Sequence, residues 1–295
     1  MTKKKLYVWA CDYSESTGEG KLARLFIKKL NLNKEFKIII NKNPNFHKYL
    51  LPILGIFFCW IKSAKNQNVC YLNYLPFWNF LIFMLLPPKT ILGPITGGAK
   101  YSRKNKINFF IRDKLFPMFY KISEFFLIKR NIKKIFSTDL LKKYISKNLS
   151  KKAEFNFILK SYFKEKNLKK DIEFLIYYRK HSNKIDLFQF DVIKKLLSFN
   201  IKINVIGDEL NLKGVKNYGF KSNKIVNKLQ ARSKFTINSE ESIYTFFTIE
   251  CLSNNMKVII NPKFKKDVKF MKKNFIFIDL KKITSHSTYK RLIKL

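Results

Sequence analysis

The run EFLIYYRKHSNK, residues 173–184, sets how the rest of the chain reads. Residues 173–177, apolar and aromatic after Glu173, read as a strand. It feeds straight into a polar loop in which Arg179 and Lys184 lie five positions apart. Downstream the pattern repeats. Residues 190–198 read as an amphipathic helix, 202–206 as a strand ending in Gly207, 223–231 as a helix behind Ser222, and 235–238 as a strand. Helix 245–253, strand 258–261, helix 266–272 and strand 275–279 come next, and residues 281–295 look helical. Strands that alternate with helices require a mostly parallel sheet with helices on both faces.

The first half alternates in the same way. Strands are expected at 6–10, 36–40, 69–73, 90–92, 135–137 and 155–158. Helices are expected at 21–30, 46–62, 77–86 and 140–146, the last with Asp139 as its N-cap. A long helix over 107–129 carries Pro117 as an expected kink. Residues 161–170 are lysine-rich with little periodicity and read as a linker. The organisation expected is therefore two Rossmann-like domains, 1–160 and 171–280, with a terminal helix over 281–295. In open parallel sheets ligands bind outside the carboxyl ends of the strands, and two such edges can face one another across a cleft.

Composition supports a folded chain. Hydrophobic residues are 46% of the 295 and charged residues 27%, so a core can form and disorder is not expected. The formal net charge of +40 favours anionic partners. Only seven of the 60 basic residues are Arg, and the excess of Lys, Asn, Ile and Phe matches A/T-rich codons, so charge alone does not choose the partner. Cys11, Cys59, Cys70 and Cys251 form no C-x-x-C pair and are expected as buried thiols, and no metal site is expected from them or from the three His. No secretory signal is read at the start, and the most apolar windows, 49–61 and 75–88, are shorter than the roughly 18–20 residues of a spanning helix. The location expected is cytoplasmic, with the aromatic, basic helices of the first half free to lie on the inner face of an anionic membrane.

The polar residues at strand ends supply the chemistry. Arg179 and Lys184 could clamp a diphosphate. After Gly207, the turn Asn217-Tyr218-Gly219-Phe220 could press against a nucleobase. The segment from Ser239 to Glu250 starts with the paired acids Glu240 and Glu241, passes through Thr245 and Phe246, and enters a helix whose first amides suit a phosphate. Glu250 in the second turn could take the two hydroxyls of a ribose. In the first half, Gly18, Glu19 and Gly20 open a helix after the first strand, and Gly97 and Gly98 close a glycine-bearing loop after the fourth. The first of these is not a P-loop, since Lys-Ser/Thr does not follow its glycines at the required spacing.

As a set these residues resemble the donor half of GT-B glycosyltransferases, in particular the retaining glycosyltransferase group 1 family. The resemblance covers about residues 172–279. Arg179 and Lys184 match the family's Arg-x4-Lys pair, Gly207 its glycine after the second strand, and Gly219-Phe220 its Gly-Phe turn. Glu250 matches the second acid of its Glu-x7-Glu motif. The first acid is displaced, since Ser242 stands at the expected spacing and Glu241 and Glu240 precede it. The resemblance implies transfer of a sugar from a nucleotide-sugar donor to an envelope polysaccharide or lipid-linked acceptor, with no cofactor and no metal. The first domain would hold the acceptor and the second the donor.

Two other readings stand beside this one. A catalytically inactive GT-B scaffold fits the displaced acid. A basic nucleic-acid-binding protein fits the charge, but Lys is spread through nearly every segment and no nucleic-acid motif is present.

Overall fold

The computed structural model describes residues 3–15, 17–41, 50–98, 106–159, 168–180, 189–239, 242–283, 285 and 287. The chain divides into two units, Met1–Ala99 with Ile107–Ser161, and Tyr162–Leu295 with Lys100–Lys106.

The first unit begins with β1 (Lys4–Trp9), α1 (Gly18–Lys29), α2 (Leu32–Glu35) and β2 (Phe36–Ile40). It continues through α3 (Leu51–Ala64), β3 (Asn68–Tyr71), α4 (Phe80–Leu85) and β4 (Ile91–Leu92). The helices α5 (Lys106–Phe110) and α6 (Phe116–Ile128) flank a π-helical stretch, Ile111–Leu115, and β5 (Lys134–Ile135), α7 (Lys147–Lys152) and β6 (Ala153–Glu154) complete it. Four strands form a parallel sheet in the order β2-β1-β3-β4. Parallel bridging of Ile95 to Phe136 carries this sheet on to the β5–β6 pair. From β1 the chain steps to β2, then reverses through β3, β4 and β5. With right-handed crossovers, that reversal places α1 on one face and α3, α4 and α6 together on the other. The latter face holds a core of Trp9, Tyr71, Phe77, Phe83, Leu127 and their neighbours. Arg130 is buried there, and its guanidinium donates to the carbonyls of Phe83, Leu86 and Pro87, capping the C-terminal end of α4.

The second unit contains β7 (Ile172–Tyr178), α8 (Phe190–Ser198), β8 (Ile203–Gly207), β9 (Val215–Asn217) and α9 (Asn223–Arg232). Then come β10 (Ser233–Ile237), α10 (Phe246–Ser253), β11 (Lys257–Ile260) and β12 (Phe275–Phe277). The sheet is parallel with order β12-β11-β10-β7-β8-β9. Strand β8 is buried throughout, as a central parallel strand must be. Phe174 and Ile176 pack with Val192, Ile193 and Leu196 of α8, while Leu175 packs with Leu229 of α9 and Cys251 of α10 on the opposite face. Direction reverses between β7 and β10, so those two strands bound the topological switch point.

Several expected elements differ, each for a physical reason. The 107–129 helix opens into the π-helical stretch just before Pro117, whose missing N–H and ring exclude a regular turn there. Asp139 is not an N-cap. Its amide is held by Asn156 Oδ1, and Ser146 instead caps α7 by accepting from Leu149 N. The strand expected over 155–158 ends at Glu154, because Asn156 turns the chain with φ 54°. No helix forms over 266–272, since the Tyr244 phenol accepts from the amides of Lys269 and Phe270 that a helix would use internally. Of the expected terminal helix, Leu280–Lys282 form a 3-10 turn, and most residues after Ile283 lie outside the described ones.

All four cysteines are free. Burial pushes the Cys59 thiol up to about 12 and raises Cys70 and Cys251 as well.

Candidate functional site

The carboxyl edge of the second sheet gathers most of the expected donor residues. Gly207 ends β8 opposite Tyr178 at the end of β7, with φ +104°. A Cβ there would lie 2.1 Å from the Tyr178 carbonyl oxygen, so only glycine lets the two strands finish side by side. Gly207 N donates to Gly219 O at 3.1 Å, which draws in the turn after β9. Asn217 fixes that turn by pairing its side-chain amide with both backbone groups of Leu210. Gly219 has φ +68° and open space where a Cβ would stand, and Phe220 beside it is 67% exposed. Arg179 is exposed immediately beyond β7. Its loop is held by Asp208, which accepts from Lys180 N at 2.7 Å.

Helix α10 reaches the same edge. Tyr177 stacks on Phe247 with ring centroids 5.7 Å apart, setting the first turn of α10 against the exit of β7, two residues before Arg179. Thr245 is the N-cap of α10, its Oγ1 accepting from Thr248 N at 3.1 Å. The amides of Phe246 and Phe247 precede that bond and have no partner within the helix. Glu250 is buried in the body of α10, and its carbonyl accepts from Asn254 Nδ2 and Ser253 Oγ. Lys184, Glu240 and Glu241 lie outside the described residues. Arg179, Gly207, Gly219, Phe220, Thr245 and Phe246 therefore share one neighbourhood of the second unit, with Glu250 one turn further along α10.

Sequence reasoning missed Asn238. This residue follows β10 across the switch point and is 3% exposed. Its Nδ2 donates to the carbonyls of Ser242 (3.2 Å) and Ile243 (2.9 Å) and to Thr248 Oγ1 (3.3 Å), so it shapes the loop into α10. Its own carbonyl accepts from Gln189 Nε2, at the start of α8. A cavity of about 160 Å³ lies further along the same edge, lined by Gln189, Asn261, Lys263, Asp279 and Lys281 among others. Its polar residues at the ends of β11 and β12 were the only sequence signal for it.

The first unit has a polar cluster at its own switch point, between β1 and β3. Asn73, 2% exposed, donates through Nδ2 to the carbonyls of Asp12 (2.7 Å) and Glu19 (3.3 Å) and accepts from Asp12 N (3.2 Å). Thr17 caps α1 by accepting from Gly20 N. A Cβ on Gly20 would stand 2.1 Å from Ser14 O, whereas Gly18 has open space around it. Burial pushes the Glu19 carboxyl up to about 7, with the Asp12 charge adding to it. Burial likewise pulls Lys21 down to about 8, with Arg24 adding a smaller push. The cluster thus offers a carboxyl that exchanges its proton near neutrality.

The second glycine loop is spent on packing. Ile95 and Thr96 extend the sheet, and Cβ atoms on Gly93 and Gly98 would meet the backbone of Leu72 and Leu140 at 2.1 Å and 2.8 Å. Gly97, at φ +140°, sits against the Leu141 side chain. At Gly98 the backbone thus runs close against the protein's own chain.

No protein-family model matches the sequence, and no curated protein is similar to it in sequence. Solved structures are similar in fold. An alpha-glucosyltransferase in complex with UDP-glucose and DNA containing an abasic site aligns with a TM-score of 0.52 at 11% identity, over 99% of this chain and 90% of that one. The fold is GT-B. Two further solved structures align with lower TM-scores. A putative UDP-N-acetylglucosamine 2-epimerase from Listeria monocytogenes gives a TM-score of 0.49 at 11% identity, over 88% of this chain and 79% of that one. A glycosyltransferase from Rickettsia africae gives 0.47 at 14% identity, over the same shares of each chain. Among the described residues, no group of three or more His, Cys, Asp and Glu side chains is placed to hold a metal ion, and no helix is long and apolar enough to cross a membrane.

Proposed function

We propose that this GT-B chain is a glycosyltransferase, moving a sugar from a nucleotide-sugar donor to a glycan or lipid-linked acceptor. The observation that carries this reading is the second unit's switch-point edge. There an exposed Arg179, the start of α10 and an exposed Phe220 lie around the close-packed Gly207 and the open turn at Gly219. Each meets a different part of one ligand. Arg179 and Lys184, with the amides of Phe246 and Phe247, would hold the diphosphate. Phe220 offers a flat face to the base, Glu250 takes the ribose hydroxyls, and Glu240 or Glu241 contacts the sugar.

In the reaction the bond from the sugar's anomeric carbon to the diphosphate breaks, a bond to an acceptor oxygen forms, and the acceptor's proton leaves. Charge develops on the departing nucleoside diphosphate. Cationic side chains and helix amides aimed at it would lower the barrier without a metal, and the group 1 resemblance implies a retaining transfer. In the first unit, the loop of Gly18, Glu19 and Gly20 would meet the acceptor, and Glu19 is the group suited to hold or release a proton near pH 7.

Thermal-shift measurement against UDP-, GDP- and ADP-sugars tests this directly, because a ligand bound to the native state raises its stability. One class of sugar nucleotide should raise the melting temperature, and Arg179→Ala should weaken that binding by about tenfold or more. Nucleoside diphosphate release that needs an acceptor then marks a transferase, an isomerised sugar nucleotide an epimerase, and binding without turnover a scaffold. If none of the three classes stabilises the protein, the donor site is wrong.

A further inference from the structure

Helices α3 and α6 are apolar on both sides. The inner sides fill the core, as the topology requires, but the outer sides are not polar. On α3, Ile53, Phe57 and Trp60 point outward at spacings i, i+4, i+7, and on α6 Met118, Ile122 and Phe125 repeat that spacing. Phe57 is 61% exposed, Trp60 49% and Phe125 54%. Helix α4 packs against both α3 and α6, and Trp60 Nε1 donates to Leu85 O to join the first pair. All three helices lie on the same face of the sheet, so their exposed side chains make one flank. Soluble monomers rarely leave an apolar patch of this extent uncovered.

The surrounding charge identifies what covers it. Helices α3 and α4 contain no acid, and the one acid of α6, Glu124, turns inward to accept from Ser146 N. Lys121 on α6 and Lys129 at its C-terminal end are exposed beside these apolar residues, with Lys129 Nζ 4.0 Å from the centre of the Phe125 ring. The whole chain carries +40. A second copy of so basic a surface would be repelled, whereas an anionic surface would be drawn in. The helices have 14 and 13 residues, too short to span a bilayer and suited to lie in its plane.

We infer that the α3–α4–α6 flank docks on an anionic lipid bilayer, with the outer aromatic and aliphatic side chains entering the headgroup boundary and the lysines meeting lipid phosphates. This inference does not depend on the catalytic reading.

Flotation of the full chain with vesicles tests it, using phosphatidylcholine alone and phosphatidylcholine mixed with phosphatidylglycerol. The mixed vesicles should carry the protein at low salt, the neutral ones far less. Phe57→Asp with Phe125→Asp should lower vesicle affinity by roughly a hundredfold or more, since each buried aromatic contributes about tenfold. Lys121→Glu with Lys129→Glu should lower it about twenty-fivefold or more at low salt, at roughly fivefold for each lost cation. Both variants should keep the parent's circular dichroism and melting temperature. The lysine pair provides a second reading if the aspartate pair fails to fold. Absence of flotation with anionic vesicles, or flotation indifferent to both variants, overturns the inference. So does a stable dimer in sedimentation that the aspartate pair splits while vesicle binding is absent.

Discussion

Glu19→Gln isolates the electrostatics of the first unit. The Glu19 carboxyl sits at about 7 in the fold against 4.5 for the free group, chiefly because burial disfavours its charge. The fold therefore holds this proton more tightly than the unfolded chain does. Stability must then fall as pH rises from about 4.5 to about 7 and level off above, with full stability present at the acid end of that window. At about 1.4 kcal/mol for each pH unit between those values, the charged carboxylate would cost at most about 3.5 kcal/mol. Partial contact of the side chain with solvent brings a working figure of about 2 kcal/mol. A Gln resembles the protonated acid, so the variant should exceed the parent only slightly near pH 5 and by about 2 kcal/mol at pH 8.

The chain supplies its own probe, since all three tryptophans, Trp9, Trp60 and Trp78, belong to the first unit. Urea denaturation followed by tryptophan fluorescence at the two pH values gives the difference directly. An equal offset at pH 5 and pH 8, or a variant less stable than the parent at pH 8, would refute the assignment of a raised carboxyl to Glu19.

Two further substitutions probe the second unit. Gly207→Ala forces a Cβ within 2.1 Å of the Tyr178 carbonyl at φ +104°, and should lower stability by about 3 kcal/mol in denaturant titration. Asn238→Ala removes an amide donating to three oxygens and should cost about 2–3 kcal/mol. Asn238→Asp should be worse than Ala at pH 8, because a carboxylate would face the carbonyls of Ser242 and Ile243. An aspartate variant as stable as the alanine one would contradict that hydrogen-bond pattern. On the proposed function, both Asn238 variants should also weaken sugar-nucleotide binding, read by the same thermal shift.

What the sequence disclosed depended on how local each cause was. The run 173–177 is legible as a strand because its short apolar and aromatic stretch, 174–177, is a property of the residues themselves. Gly207 is legible because a sharp turn at a strand end is set within a few positions. Tyr244 shows the limit. Residues 266–272 have the composition of a helix, but a phenol from a distant loop takes the amides of Lys269 and Phe270, and nothing near them announces it. The helices α3 and α6 show another limit: periodicity marks them as apolar all round, and only the sheet's connectivity tells which side meets the core.

The two asparagines were illegible for a different reason. In a chain rich in Asn, a single one at a strand end carries no signal, yet Asn73 and Asn238 hold corresponding places in the two units. At a switch point adjacent strands send their loops in opposite directions, so backbone groups beyond the strand ends lose the ladder that would have paired them. Buried carbonyls left that way are costly. A side-chain amide supplies a donor and an acceptor in one plane, which is what Asn73 gives to Asp12 and Glu19. Asn238 uses its donor in the same way toward Ser242 and Ile243. An aspartate has no proton to give and a leucine neither group. The need for asparagine at both positions follows from sheet topology, and the site loops of each unit take their shape from it.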